Sequence, residues 1–161
     1  MNIGVVVIGR NEGARLRKCL ESVKEIADRV VYVDSGSTDD SVAMAQAMGV
    51  EALDLDTSIP FCAARARNVG FARLMQRHPG VEFVQFIDGD GEITRDRESA
   101  ATQALSSRPE VAIVVGLLNE RSPEASIYNR VGEVEWNFSG IGEVKSVGGI
   151  FMVRREAFEN V

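Results

Sequence analysis

Two carboxylates separated by one residue, Asp88 and Asp90, stand where the apolar run of FVQFIDGDGEI ends. If the chain turns at Gly89, both can face one cation, and carboxylate oxygens are the ligands that Mg²⁺ and Mn²⁺ prefer. Such a cation needs further oxygens, which a diphosphate provides, and it would act as a Lewis acid as that diphosphate departs. The plain alternative is a solvated Asp-Gly turn. An EF-hand is excluded, because the sixth position from Asp88 is Ile93 and the twelfth is Ser99, where Gly and Glu are required. Neither a Walker A loop nor a GxGxxG fingerprint is present, which weakens ATPase and dinucleotide readings.

Other polar groups end apolar runs in the same way. The first run leads into Gly9-Arg10-Asn11-Glu12, and the second into VDSGSTDD, where Asp34 precedes a Ser-Gly turn. In an open parallel sheet, ligands bind beyond the carboxyl ends of the strands, near a switch in strand order. Gly9, Asn11, Glu12, Asp34, Asp88 and Asp90 are therefore expected along one edge of one sheet.

The elements that must position them follow from the hydrophobic pattern. Ile3–Ile8, Val30–Val33, Glu82–Ile87 and Val111–Val115 are short runs rich in β-branched residues, as strands buried on both faces are. Weaker strands are expected near Val50–Leu55 and Gly148–Val153. Leu16, Leu20 and Val23 form an i, i+4, i+7 stripe on a helix. A second helix starts in STDD and stops at Gly49. A third covers roughly Phe61–Arg77, and a fourth about Arg95–Ser107. In the third, Phe61, Ala64, Phe71 and Met75 share a face with Asn68 at its middle. Arg65 and Arg67 flank that face, while Arg73 and Arg77 point to solvent. For Arg67, a phosphate or carboxylate contact and a surface ion pair stand as equal alternatives. Leu118 to Val147 reads as an irregular loop region. Alternating strands and helices predict a three-layer α/β/α, Rossmann-like domain with a mostly parallel sheet.

At 161 residues the chain suits one domain, residues 1–161. A net charge of −6 argues against a nucleic-acid partner. No apolar stretch approaches the ~18 residues of a transmembrane helix, and no secretory leader is evident at the start. Cys19 and Cys62 lack CxxC spacing and read as core residues of a reducing compartment. A cytoplasmic protein is expected.

Taken together, the VVIGRNE opening, VVYVDSGSTDDS, ARARNVGFARL, FIDGDGEI and GGIFMVRREAFENV resemble the family 2 glycosyltransferases, which have the GT-A fold. The resemblance covers nearly the whole chain. It implies that Gly9, Asn11, Glu12 and Asp34 contact the nucleotide of a nucleotide-sugar donor, a UDP-sugar by preference. Asp88 would reach ribose and metal, Asp90 the metal, with Mn²⁺ and Mg²⁺ equally suited. Arg67 would lie near the nucleotide or support the Asp88–Asp90 loop. The reaction implied is inverting transfer to an acceptor hydroxyl, with a carboxylate as general base. In the family that base follows the GG…RREAFE segment, so it is expected beyond Val161 and the chain reads as a donor-binding half. Glu133, Glu135 and Glu143 are acids of the acceptor region, read as solvated. Trp136 is read as a loop anchor or a sugar-stacking ring, and His78 as a surface or capping residue.

A saccharide or lipid-linked acceptor is expected, with a location in the cytoplasm or at the inner face of the membrane. A binding module without transfer activity is one alternative. A sugar-nucleotidyltransferase is another, disfavoured because IGRNEGARLRK has poor glycine spacing for a phosphate loop. A homo-oligomer, with a second copy covering exposed apolar surface, is also open.

Overall fold

The computed structural model describes residues 2–136, 142–144 and 146–160. Six strands form one sheet: β1 (Ile3–Gly9), β2 (Val30–Asp34), β3 (Glu51–Asp54), β4 (Phe83–Asp88), β5 (Ile113–Val115) and β6 (Ile150–Arg154). Their order is β3-β2-β1-β4-β6-β5. The first four are parallel, while β6 lies antiparallel between β4 and β5. The sheet is thus mostly parallel, as expected, and strand order reverses direction between β1 and β4.

Alternation along β1 divides the core. Val6 and Ile8 pack with Val31, Val33, Val84 and Phe86 beneath helix α3 (Ala63–Arg77), through Ala66, Phe71 and Leu74. Val5 and Val7 face the other way, onto Leu16, Cys19 and Leu20 of α1 (Ala14–Ser22) and Ala45 of α2 (Ser41–Ala47). Leu105 of α4 (Arg95–Ser107) joins Ile3, Phe83 and Met152 on a third patch. Helices on both faces of the sheet make three layers. Leu16, Leu20 and Val23 are all buried, so that stripe lies where its spacing places it.

The structure corrects three local expectations. Helix α3 buries Ala66, Gly70, Phe71 and Leu74, while Phe61, Ala64 and Asn68 are exposed. Small residues at 66 and 70 let the helix approach the sheet, and that selects the face. Arg73 and Arg77 lie toward solvent as expected, each over 40 % exposed, and both also reach Glu51 of β3, at 2.6 and 2.9 Å. Cys62 is exposed, just before α3, whereas Cys19 is buried. The region read as irregular contains α5 (Ile127–Trp136), whose Ile127, Tyr128 and Val134 stay exposed. Trp136 is 52 % exposed and so is not a loop anchor. Glu135 and Glu143 are exposed, and the Glu133 side chain lies outside the described residues. His78 caps α3, donating its N–H to Leu74 O at 2.8 Å. The last helix, α6 (Arg155–Glu159), packs Phe158 against Phe71 and Phe86.

Candidate functional site

Register carries the strand ends to one edge. Gly9 of β1 pairs with Asp34 of β2, and Ile8 pairs with Asp88 of β4. The backbone joins them further: Ser35 N–H donates to Gly9 O at 2.9 Å, and Gly89 N–H to Ile8 O at 2.8 Å.

The loops after β1 and β2 are built as one unit. Asn11 takes a left-handed conformation, φ 55°, which Asn tolerates better than most side chains. Its N–H donates to Ser37 Oγ at 2.8 Å, and its Oδ1 accepts from Thr38 N–H at 2.7 Å. Asp34 organises the second loop. Its Oδ2 accepts from the N–H groups of Gly36 and Ser37 at 2.9 and 2.7 Å, and its Oδ1 from Tyr32 Oη at 2.7 Å and from Ser37 Oγ. At 2 % exposure, with four donors on four lone-pair positions, Asp34 is a strut of this loop. Burial, and then the Asp34 partner, push the Tyr32 phenol above its ordinary range.

The Asp88–Asp90 turn is closed by Gly91 N–H donating to Asp88 O at 2.8 Å. This leaves the Asp88 side chain for other partners. Arg67 Nη2 donates to its Oδ1 at 2.8 Å, and the same guanidinium lies 5.6 Å from the Phe151 ring centroid. Of the two arginines read as flanking the helix face, Arg67 meets the carboxylate. Arg65 holds the loop before α3, donating to Asp56 O at 2.9 Å and Ile59 O at 3.0 Å. Burial raises the Asp88 pKa; Arg67 opposes this and Asp90 adds to it. Asp90 itself is exposed.

Glu12 completes the group. Burial raises its pKa, Arg15 lowers it, and Asp90, Asp88 and Asp39 raise it, so these acids share one field. Arg15 Nη2 lies 2.7 Å from Glu12 Oε2. No donor among the described residues meets that buried oxygen in hydrogen-bonding geometry. The contact is therefore electrostatic, and the oxygen keeps acceptor capacity.

Other buried atoms on this edge also lack a hydrogen bond among the described residues: Ser35 Oγ, Arg65 Nε and Arg67 Nε. Ser35 was read only as part of the Ser-Gly turn after Asp34 and not as a residue of the site. Gly149, before β6, was missed as well; Asp88 N–H donates to its carbonyl at 3.0 Å. Two cavities, of 260 and 550 Å³, lie elsewhere and include none of Glu12, Asp88 and Asp90.

The donor set suits a hard divalent cation, since both strand-end acids offer carboxylate oxygen. Among the described residues, no group of three or more His, Cys, Asp or Glu could hold a metal ion. Asp88 and Asp90 would need oxygens from a ligand to complete a coordination shell. Among the same residues, no helix is long and apolar enough to cross a membrane.

Known proteins are similar to this chain in sequence or in fold. An uncharacterized glycosyltransferase of Rickettsia felis is 45% identical over 51 residues, 32% of this chain and 18% of that protein. A TPR repeat-containing protein of Synechococcus elongatus is 26% identical over 133 residues, 82% of this chain and 31% of its own. Glucosyl-3-phosphoglycerate synthase from Mycobacterium tuberculosis superposes with a TM-score of 0.67 at 20% identity, over 96% of this chain and 57% of the synthase. That synthase has been solved with UDP, and with Mn²⁺, UDP-glucose and glycerol 3-phosphate. This chain thus spans less than two thirds of each of these proteins. The architecture is that of these glycosyltransferase structures, the GT-A-like α/β fold. The glycosyl transferase family 2 model matches residues 4–161, which sets the nucleotidyltransferase alternative aside. The chain belongs to glycosyl transferase family 2.

Proposed function

We propose that this chain, as a single domain, binds the donor for an inverting glycosyltransferase. The donor is a nucleoside-diphosphate sugar, a UDP-sugar by preference, used with Mn²⁺ or Mg²⁺ to glycosylate an acceptor hydroxyl. One observation carries the reading: buried atoms of Glu12, Ser35 and Arg67 that make no hydrogen bond, Glu12 Oε2 having only its ion pair with Arg15, gather on the strand edge that holds Asp88 and Asp90. Native proteins seldom leave such atoms without a hydrogen bond, and a bound ligand is one explanation. A nucleotide offers what they lack. Glu12 Oε2 can accept from a ribose hydroxyl, and Arg67 Nε can donate to a phosphate oxygen.

Asp88 and Asp90 would hold the cation, which when bound offsets the charge of the departing diphosphate. Asp88 would also reach the ribose. Gly9 and Asn11 line the nucleotide with backbone, and Asp34 acts on it through the loop it builds. The Mn²⁺ and UDP-glucose of the Mycobacterium tuberculosis synthase support this assignment. Inversion, a saccharide or lipid-linked acceptor, and action at the cytoplasmic face of a membrane complete the proposal from the family resemblance.

A second reading is a module that binds donor and cation without transferring sugar. Calorimetric titration with UDP and GDP, each with and without Mn²⁺, tests the common part of both readings. Metal-dependent binding of one nucleotide is expected. Binding of neither refutes the site.

A further inference from the structure

Gly149 faces Asp88 across the β4–β6 pair. The antiparallel register runs to Ile87 with Ile150, and the Asp88 N–H bond to Gly149 O extends it one step. A β-carbon on Gly149 would fall 2.1 Å from Asp88 Oδ2, 2.6 Å from its Cγ and 3.1 Å from its Cβ. Because backbone geometry fixes a β-carbon, no side-chain rotation at 149 relieves that overlap. Gly149 is not among the glycines with positive φ, so backbone conformation does not require glycine here. The neighbouring carboxylate does. Across the carboxylate, Oδ1 receives Arg67, whose guanidinium rests over Phe151. β6 and the residue before it therefore bear on both oxygens of Asp88, one directly and one through Arg67.

We propose that Gly149 is a positioning residue for Asp88: the missing side chain lets Oδ2 lie against the β6 backbone and sets the orientation in which the carboxylate meets a divalent cation. The cation part of this inference rests on the function proposed above.

The test compares the parent with G149A, D88A and D88A/G149A, by chemical unfolding and by titration of UDP with and without Mn²⁺. In the parent background, G149A is expected to lower the unfolding midpoint, although Gly→Ala at a compatible backbone position ordinarily stabilises. In the D88A background the same change should cost far less, because the Oδ2 and Cγ overlaps are gone and only the 3.1 Å approach to the residue-88 Cβ remains. Should G149A alone fail to fold, D88A/G149A should recover folding. G149A should also weaken Mn²⁺-dependent UDP binding by about 10-fold or more, the scale typical of residues that orient a metal ligand, with metal-free binding unchanged. Equal midpoint shifts in both backgrounds, or failure to fold in both, overturn the inference. So does equal Mn²⁺-dependent binding by parent and G149A. A parent that binds no nucleotide overturns the functional reading and the cation part with it, while the unfolding cycle still decides whether Gly149 acts through Asp88.

Discussion

Replacing Asp34 with alanine separates a loop strut from a nucleotide ligand. Its carboxylate takes four donors: Tyr32 Oη, the N–H groups of Gly36 and Ser37, and Ser37 Oγ. Hydrogen bonds to a charged group contribute about 1.5–3 kcal/mol each. They do not sum here, because Gly36 and Ser37 are only partly buried and can regain water in the mutant. The Tyr32 hydroxyl cannot, since Tyr32 is fully buried, and leaving it unpaired costs about 1–3 kcal/mol. With partial loss of the other three bonds, D34A should lose about 3–5 kcal/mol. Y32F removes one donor and leaves three, so about 1 kcal/mol is expected. Urea unfolding followed by far-ultraviolet circular dichroism reads both values. A D34A protein within about 1 kcal/mol of the parent that no longer binds UDP would refute the argument, because Asp34 would then serve the ligand and not the loop.

Four further outcomes follow from the same contacts. Arg73, and then Arg77, hold the Glu51 carboxyl below its ordinary value of 4.5. A lowered folded pKa contributes stability above the unfolded value and loses it as pH falls through the folded one. E51Q should therefore be less stable than the parent at neutral pH, modestly because both arginines are over 40 % exposed, and the difference should vanish in acid denaturation profiles. Asp88 has the opposite sign. Its pKa is raised above 3.8, chiefly by burial, so its contribution is full below that value and is lost as pH rises through the folded pKa. R67A removes the opposing charge and should move the Asp88 carboxyl titration, read by carbon NMR, to still higher pH. A β-carbon at Gly70 would meet Val6 Cγ1 at 2.4 Å and Val33 Cγ2 at 3.0 Å. G70A should lose about 1–2 kcal/mol net, overpacking outweighing better helix propensity, as thermal unfolding can measure. Trp136, the one tryptophan, is half exposed, so its emission should be solvent-like and readily quenched by acrylamide, and W136F should change stability by less than about 0.5 kcal/mol.

What the sequence disclosed, and what it hid, has a physical pattern. The β-branched runs of β1, β2 and β4 were legible because a strand buried on both faces leaves a continuous apolar stretch. Convergence of their polar ends then followed from topology alone. The packing face of α3 was hidden because its close approach depends on the small Ala66 and Gly70, which a search for large apolar side chains passes over. Helix α5 does carry a stripe, Ile127, Val131 and Val134 at the i, i+4, i+7 spacing of Leu16, Leu20 and Val23, but the residues on it stay exposed, and the stripe was passed over among the polar residues and glycines around it. Gly149 lies in the GGIFMVRREAFENV segment, but nothing local there ties it to Asp88. Its importance comes from the antiparallel placement of β6 beside Asp88, a pairing distant in sequence.

The two strand-end aspartates show how far such reading can be taken. Asp34 and Asp88 both end an apolar run and both precede a turn, so residue type alone treats them alike. Their turns close differently. At Asp34 the side chain accepts the N–H groups two and three residues on, from Gly36 and Ser37, and a tyrosine two residues back supplies a buried hydroxyl. At Asp88 the main-chain carbonyl takes the N–H three residues on, from Gly91, and the carboxylate is left to Arg67. A carboxylate that closes its own turn has spent its acceptors, while one spared that task can exchange an ion pair for a cation. The discriminating clue was in the sequence. Asp-Ser-Gly-Ser places small turn residues where an aspartate can fold back upon them, with Tyr32 below. In Phe-Ile-Asp-Gly-Asp-Gly, Phe86 and Gly91 stand where Tyr32 and Ser37 do and bring no hydroxyl, and the Gly91 N–H goes to the Asp88 carbonyl, so the Asp88 carboxylate is left available.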